Sequence, residues 1–475
     1  MCLRSPWVCC APCETAGVGI RRTSSTGEVP DDPVGLAVAE FVAGVLWKAS
    51  VELHYDPVGP LTSAPPSPPD IALRATRVVL DGWCTTMVVH LDEQVAGLLT
   101  PGGGAPPKPL ATIPEAALLA CATSAGVGTD DRSGTLSPSV RRALRDTVIV
   151  ELLSQQGGAG SAEPAWLLAE VLEYLIELSG TRVESHSLTH GVVITDAIED
   201  VPRLSVSYPG GLRGAKRSPL LFDGQRSVLV VDRQGRARTE LQRHRLDRLL
   251  PEAVRWGVDD TAFVDSGSLV ALATRRLGGI GFFLREDRSI WTFVDGTPLV
   301  VRRGEHWTAF PLWLAAAIGS AIGGGRAVDL VVQAALMISV QPSGAILGIV
   351  DEPGDLDGTV EAKDRFDLRD QVDPEAMRAE TKLHHLIDAG DMDAQTLARL
   401  AALDGATIVD RDGRLLAYGA IVTSADSQHE GARTAAARTL SITSLAVLKV
   451  SEDGEITVFR DGVVVGTLLR SGSAA

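Results

Sequence analysis

The uncharged run Ser343 to Val350 (SGAILGIV) restricts the fold of this chain more than any other segment. Its β-branched and leucine side chains leave no polar face to turn toward water. It therefore predicts a strand covered on both sides, the position of a central strand in an α/β sheet. The residues after it fit such a sheet. Asp373-Pro374-Glu375 opens a predicted helix with an N-cap residue, a first-turn proline and an acid suited to the helix dipole, and Gly390 closes it. A second helix, capped by Asp391 or Asp393, runs to Ala402 and leads into Leu403-Asp404-Gly405-Ala406. A strand (ATIVD), a turn (RDG) and a partner strand (RLLAYGAIV) follow.

With 475 residues the chain is too long for one core, and two or three domains are expected. The sequence divides into a tail at 1–33 expected to be disordered, a helix-rich region at 34–185, a β-rich α/β region at 186–325 and a C-terminal α/β domain at 326–470. Helical spacing marks Val34 to Lys48, Ser137 to Leu153 and Ala165 to Ser179 in the second of these, with Pro/Gly-rich loops at Val58 to Pro69 and Thr100 to Pro109. From His190 the texture becomes short runs read as strands: GVVITD, SVLVVD, SLVALAT and SIWTFVDGTPLVV. Trp307 to Gly323 is apolar but shorter than a bilayer span, and it predicts a buried helix rather than a membrane segment. Another helix is expected over Asp329 to Ile338.

Charge and cysteines limit the function classes. A net charge of −16, from 44 Lys+Arg against 60 Asp+Glu, repels a polyanion and argues against broad nucleic-acid binding. It does not exclude a small anion met by local donors and a metal ion. Four of the six cysteines (Cys2, Cys9, Cys10, Cys13) crowd the N-terminus without a nearby histidine, which fits a tail better than a zinc site. Cys84 and Cys121 remain, and with no secretory pattern the expected location is the cytoplasm. Ser185, His186 and His190 lie close together but lack a glycine elbow or a paired acid, so they make a poor nucleophilic site. Arg243-His244-Arg245 reads as a basic helix face.

Three segments of the C-terminal domain carry chemistry. Asp404-Gly405 stands at a helix-to-strand junction, where a fixed carboxylate can hold a metal ion or sugar hydroxyl, although Asp-Gly is also an ordinary turn. Gly431-Ala432-Arg433-Thr434 opens an alanine-rich helix, whose free N–H groups and first-turn arginine suit phosphate; the alternative is a solvent-facing arginine. Ser451-Glu452 closes the strand AVLKV before an EDG turn, placing a second carboxylate at a strand end, or else a solvated hairpin residue.

In this order, SGAILGIV, DGA, GARTAAA, KVSEDG and VFRDG resemble the diadenylate cyclase domain family, in a branch that typically reads GARH, VSE-x-DG and VF-x-DG. The resemblance covers Val331 to Leu469. It implies a mixed twisted sheet flanked by helices, preceded by an α/β regulatory region at 30–325 whose part at 186–325 would be a sensor domain, and the condensation of two ATP into cyclic di-AMP. Asp404 and Glu452 would ligate Mg²⁺ or Mn²⁺, with Asp404 also orienting the attacking 3′-hydroxyl. Gly405 and Ala406 would admit the nucleotide to the backbone, Gly431, Arg433 and Thr434 would face the triphosphate, and Ser441 and Ser451 would line the pocket. The partners implied are ATP and a second copy of the chain, face to face.

The chain departs from the family at Thr434, where the branch has histidine. Threonine donates one hydrogen bond but carries no charge. The better-known branch also has an arginine where Ala435 stands and acids where Ile442 and Leu445 stand. A nucleotide-binding sensor with a weak or inactive cyclase domain is the alternative reading.

Overall fold

The computed structural model describes residues 19–46, 49–58, 72–80, 82–91, 108–124, 136–156, 163–183, 186–198, 206–214, 218–242, 246, 269–310, 318–319, 326–339, 343–368, 390, 392–423 and 431–469. The expected helix after Asp373, the N-terminal cysteines, Ser185 and the Arg243-His244-Arg245 triplet lie outside them. Among the described residues the protein is mixed α/β, with large sheets of four, eight and six strands.

The first sheet is built from β1 (Ile20–Ser24), β2 (Ser50–Pro57), β3 (Ala72–Leu80) and β4 (Trp83–His90) in the order β1-β2-β4-β3. The expectation of a disordered tail to residue 33 is corrected from residue 20 onward, because β1 pairs in parallel with β2 and Arg22 lies over the Tyr55 ring. Helix α1 (Pro33–Val45) begins at Asp32, which accepts from the Gly35 N–H at 2.7 Å and from the Tyr55 hydroxyl at 3.0 Å. Helices α2 (Ile113–Thr123), α3 (Pro138–Ser154) and α4 (Ala165–Gly180) complete this region. The last two match the predicted segments, and Ser137 caps α3.

Beyond a short hairpin of β5 (Arg182–Val183) and β6 (His186–Ser187), the middle sheet contains β7 (His190–Ile194), β8 (Val206–Ser207), β9 (Ser227–Val231), β10 (Arg236–Gln242), β11 (Ile280–Leu284), β12 (Ile290–Val294), β13 (Thr297–Arg303) and β14 (His306–Ala309). Their order is β14-β13-β12-β11-β7-β9-β10-β8, with β7 and β9 parallel. Two expectations fail here. SLVALAT is helix α5 (Leu269–Leu277), because leucine and alanine favour a helix, and Arg275, Arg276 and Gly278 supply a helix C-terminus. The predicted buried helix does not begin at Trp307, which sits in β14 paired with Arg302; most of the remaining span lies outside the described residues. Among the described residues no helix is long and apolar enough to cross a membrane.

The C-terminal unit contains α6 (Arg326–Ile338), β15 (Ala345–Val350), α7 (Ala394–Ala401), β16 (Ala406–Asp410), β17 (Leu415–Ala420), α8 (Ala432–Thr443), β18 (Ala446–Val450), β19 (Ile456–Arg460) and β20 (Val463–Leu469). The sheet order is β17-β16-β15-β18-β19-β20, with β15 and β16 parallel and the remaining pairs antiparallel. Every residue of β15 is buried, as the uncharged run requires. Ala345, Leu347 and Ile349 join the main core with α6, while Ile346 and Val350 face the smaller core that contains Leu440 of α8. Asp393 caps α7 by accepting from the Thr396 N–H at 2.6 Å.

Candidate nucleotide cleft

Strand direction brings distant segments to one edge of this sheet. Ala406 of β16 is in register with Ile346 of β15, and Ile346 with Lys449 of β18. Since β18 runs opposite to the other two, the residues before β15 and β16 and those after β18 share one edge. That edge therefore holds Ser343-Gly344, Asp404-Gly405 and Ser451-Glu452. The expected position at the carboxyl end of a strand holds for Glu452, whereas Asp404 enters from an amino end.

The N-terminus of α8 covers the same edge, leaving a cleft of about 690 Å³ lined by Asp404, Gly431, Ala432, Arg433, Thr434, Lys449, Ser451, Glu452, Asp453 and Glu455. Gly431 is the N-cap of α8, and its carbonyl accepts from the Thr434 and Ala435 N–H groups. The free amides of the first turn, together with two cations, give part of the cleft positive character. Arg433 lies across the backbone of Gly344: a Cβ there would sit 2.6 Å from Nη1, so the glycine of SGAILGIV makes room for the arginine. Arg433 Nη1 donates to Glu452 Oε1 at 2.9 Å.

Six of the predicted site residues thus line one cleft: Asp404, Gly431, Arg433, Thr434, Ser451 and Glu452. Three others do not line it. Gly405 has φ of 102°, and a Cβ on it would lie 2.3 Å from the Gly419 carbonyl carbon, so its missing side chain admits β17 rather than a ligand. Ala406 is fully buried beneath α8. Ser441, also buried, donates to the Arg438 carbonyl at 2.7 Å and accepts from the Gly462 N–H at 3.1 Å, tying α8 to the turn between β19 and β20.

Sequence reasoning missed Lys449. Its Nζ donates to Thr434 Oγ1 at 3.3 Å, so a lysine stands beside the residue that replaces histidine. The signal was present in AVLKV, where Lys449 falls on the same face as the buried Val447 and is the one position of β18 that is not fully buried.

No cluster of three or more metal-ligating side chains occurs among the described residues. The donor set nevertheless fits a hard divalent cation accompanied by phosphate, since Mg²⁺ is commonly held by one or two carboxylates plus phosphate oxygens and water. Asp404 and Glu452 would be those carboxylates. Ser451 Oγ donates to Asp453 Oδ1 at 2.5 Å, and Thr457 Oγ1 to Glu455 Oε1 at 3.1 Å, so the other two acids of the rim already serve the turn.

His190, singled out with Ser185 and His186, is wholly buried in the middle sheet and bonded to the Tyr208 hydroxyl at 3.0 Å. Burial pushes its pKa down to about 4, which suits a neutral core histidine. Comparison with family models, curated proteins and solved structures gave no match for this chain.

Proposed function

We propose that the cleft binds ATP with Mg²⁺ or Mn²⁺ and that the protein condenses two ATP into cyclic di-AMP. The observation that carries this reading is the convergence of Asp404, the α8 N-terminus and Ser451-Glu452 on one cleft from three separate stretches of sequence. A carboxylate pair, free helix amides and two cations form the set that phosphoryl transfer requires, because that chemistry is mostly positioning and charge stabilisation.

In this reading Arg433, Lys449 and the amides of α8 hold the triphosphate, and Thr434 adds a hydroxyl. Asp404 orients the 3′-hydroxyl of one nucleotide toward the α-phosphate of the other. The O3′–Pα bond forms, the bond from Pα to the bridging oxygen breaks, pyrophosphate leaves, and the 3′-hydroxyl proton passes to solvent. The divalent ion would neutralise charge developing on the phosphates. Because one cleft holds one ATP, two copies must face each other. Exposed Leu403, next to Asp404, and Ile421, just after β17, supply apolar surface at that edge for such a contact.

The replacement of histidine by Thr434 favours a second reading, a nucleotide sensor with little or no turnover. Purified protein incubated with ATP and Mn²⁺ decides between them. Cyclic dinucleotide formed above background supports the cyclase, ATP binding without product supports the sensor, and no binding by calorimetry removes both.

A further inference from the structure

Arg303, the last residue of β13, leaves its own sheet and is nearly buried against the C-terminal unit. Its Nη1 donates to the Gly454 carbonyl at 3.1 Å and to the Asp453 carbonyl at 3.4 Å. Its Nη2 donates to the Ser339 carbonyl at 3.2 Å and to Asp287 Oδ2 at 3.1 Å. Ser339 ends α6, and Asp453-Gly454 is the turn that follows Glu452. One guanidinium therefore joins the middle sheet, the C-terminal end of α6 and the rim of the cleft.

The surroundings are built for this contact. Gly454 has φ of 79°, and a Cβ there would lie 2.2 Å from the Ser339 oxygen and 3.0 Å from both terminal nitrogens of Arg303. Arg285 reaches the same helix end, donating to the Leu336 carbonyl at 3.3 Å while its guanidinium lies 4.9 Å from the Trp291 ring centroid. Cations are favoured at a helix C-terminus, where carbonyls lack intrahelical partners. The turn after β18 also has its own bonds, from the Ser451 N–H to the Glu455 carbonyl at 2.9 Å and from the Gly454 N–H to the Ser451 carbonyl at 2.8 Å. Those bonds set the shape of the turn, whereas Arg303 ties it to two other elements.

We infer that Arg303 is a positioning residue that acts through the Asp453-Gly454 backbone to hold Glu452 at the cleft, so that the middle sheet controls the geometry of the site. This rests on the reading of the cleft as a metal–nucleotide site. A planar fork with donors on separate nitrogens serves four acceptors, which a single ammonium cannot do. Asp287, on the far side of the fork, holds it from within the middle domain.

The test is a double-mutant cycle in the full chain, using calorimetric affinity for a non-hydrolysable ATP analogue with Mn²⁺, and melting temperatures alongside. Arg303→Lys, and Asp287→Asn as a variant outside the cleft, are each expected to weaken Mn²⁺-dependent binding about fivefold, an ordinary size for coupled neighbours. In a Glu452→Gln background neither should weaken it further, a non-additivity that general loosening of the fold would not produce. Equal losses in both backgrounds, or wild-type affinity in folded Arg303→Lys and Asp287→Asn proteins, would overturn the inference. If Glu452→Gln alone leaves affinity unchanged, the reading of the cleft fails and the inference falls with it.

Discussion

Arg433 and Glu452, the arginine assigned to phosphate and a carboxylate assigned to metal, are bonded to each other at 2.9 Å. Their side chains are 43% and 72% exposed, so the pair contributes no more than about 1 kcal/mol to stability. Charge-assisted bonds to a triphosphate are stronger, and the pair can open for a nucleotide at small cost. Arg433→Ala is therefore expected to shift unfolding free energy by less than about 1 kcal/mol while weakening ATP binding roughly tenfold. Denaturant titration and calorimetry on the same preparation check both numbers.

Lys449 supplies charge beside Thr434, so the two positions should differ in importance. Lys449→Gln is expected to weaken ATP binding roughly tenfold, and Thr434→Ala by only a few-fold, since a neutral hydroxyl contributes less than a cation to phosphate. Binding of ATP by the Lys449→Gln protein at wild-type strength would remove the lysine from the site.

Gly405 separates a structural role from a ligand-binding one. Gly405→Ala places a Cβ against the Gly419 backbone at positive φ and should destabilise the protein by about 2 kcal/mol or more, read by urea unfolding. A stable Gly405→Ala protein that has lost only nucleotide binding would restore the glycine to the cleft wall.

The architecture of the C-terminal unit was legible because local signals agreed. The uncharged run became β15, Asp393 capped α7, and Gly431 opened α8. Convergence of Asp404, Arg433 and Glu452 could be expected only from motif order, since it depends on β18 running antiparallel to β15. Lys449 stood out only as the one charge in the apolar strand AVLKV, and Arg303 had no local signal that tied it to the site. Lys449 gains its meaning from the register across the sheet, and Arg303 acts 150 residues away in sequence, on Asp453. SLVALAT was misread because a short apolar run has no period that separates a buried strand from a buried helix.

A buried histidine and a half-buried aspartate give opposite pH dependences. His190 has a folded pKa of about 4 against an ordinary 6.5, so unfolded chains bind its proton first as pH falls. Its contribution is complete above about pH 6.5 and is lost between there and about pH 4, a change of roughly 3 to 4 kcal/mol at about 1.4 kcal/mol per unit. His190→Phe should flatten that part of the stability profile relative to wild type.

Asp329 in the first turn of α6 behaves the other way, with burial raising its carboxyl to about 6. The neutral form suits the folded state, so its contribution is present below the unfolded pKa and is lost as pH rises through about 6. Asp329→Asn should raise the melting temperature at pH 8 and lose that advantage toward pH 4. An equal gain at both values would show that ionisation is not the cause.

The cyclase reading is tested most directly by product formation from ATP and Mn²⁺ in wild-type and Asp404→Ala proteins of matched melting temperature, followed by mass spectrometry. Cyclic di-AMP is expected from the wild type, with a loss of at least about a hundredfold in Asp404→Ala, the scale of removing a positioned catalytic group. Product formed at equal rates by both proteins, or by neither while ATP remains bound, would contradict the cyclase reading.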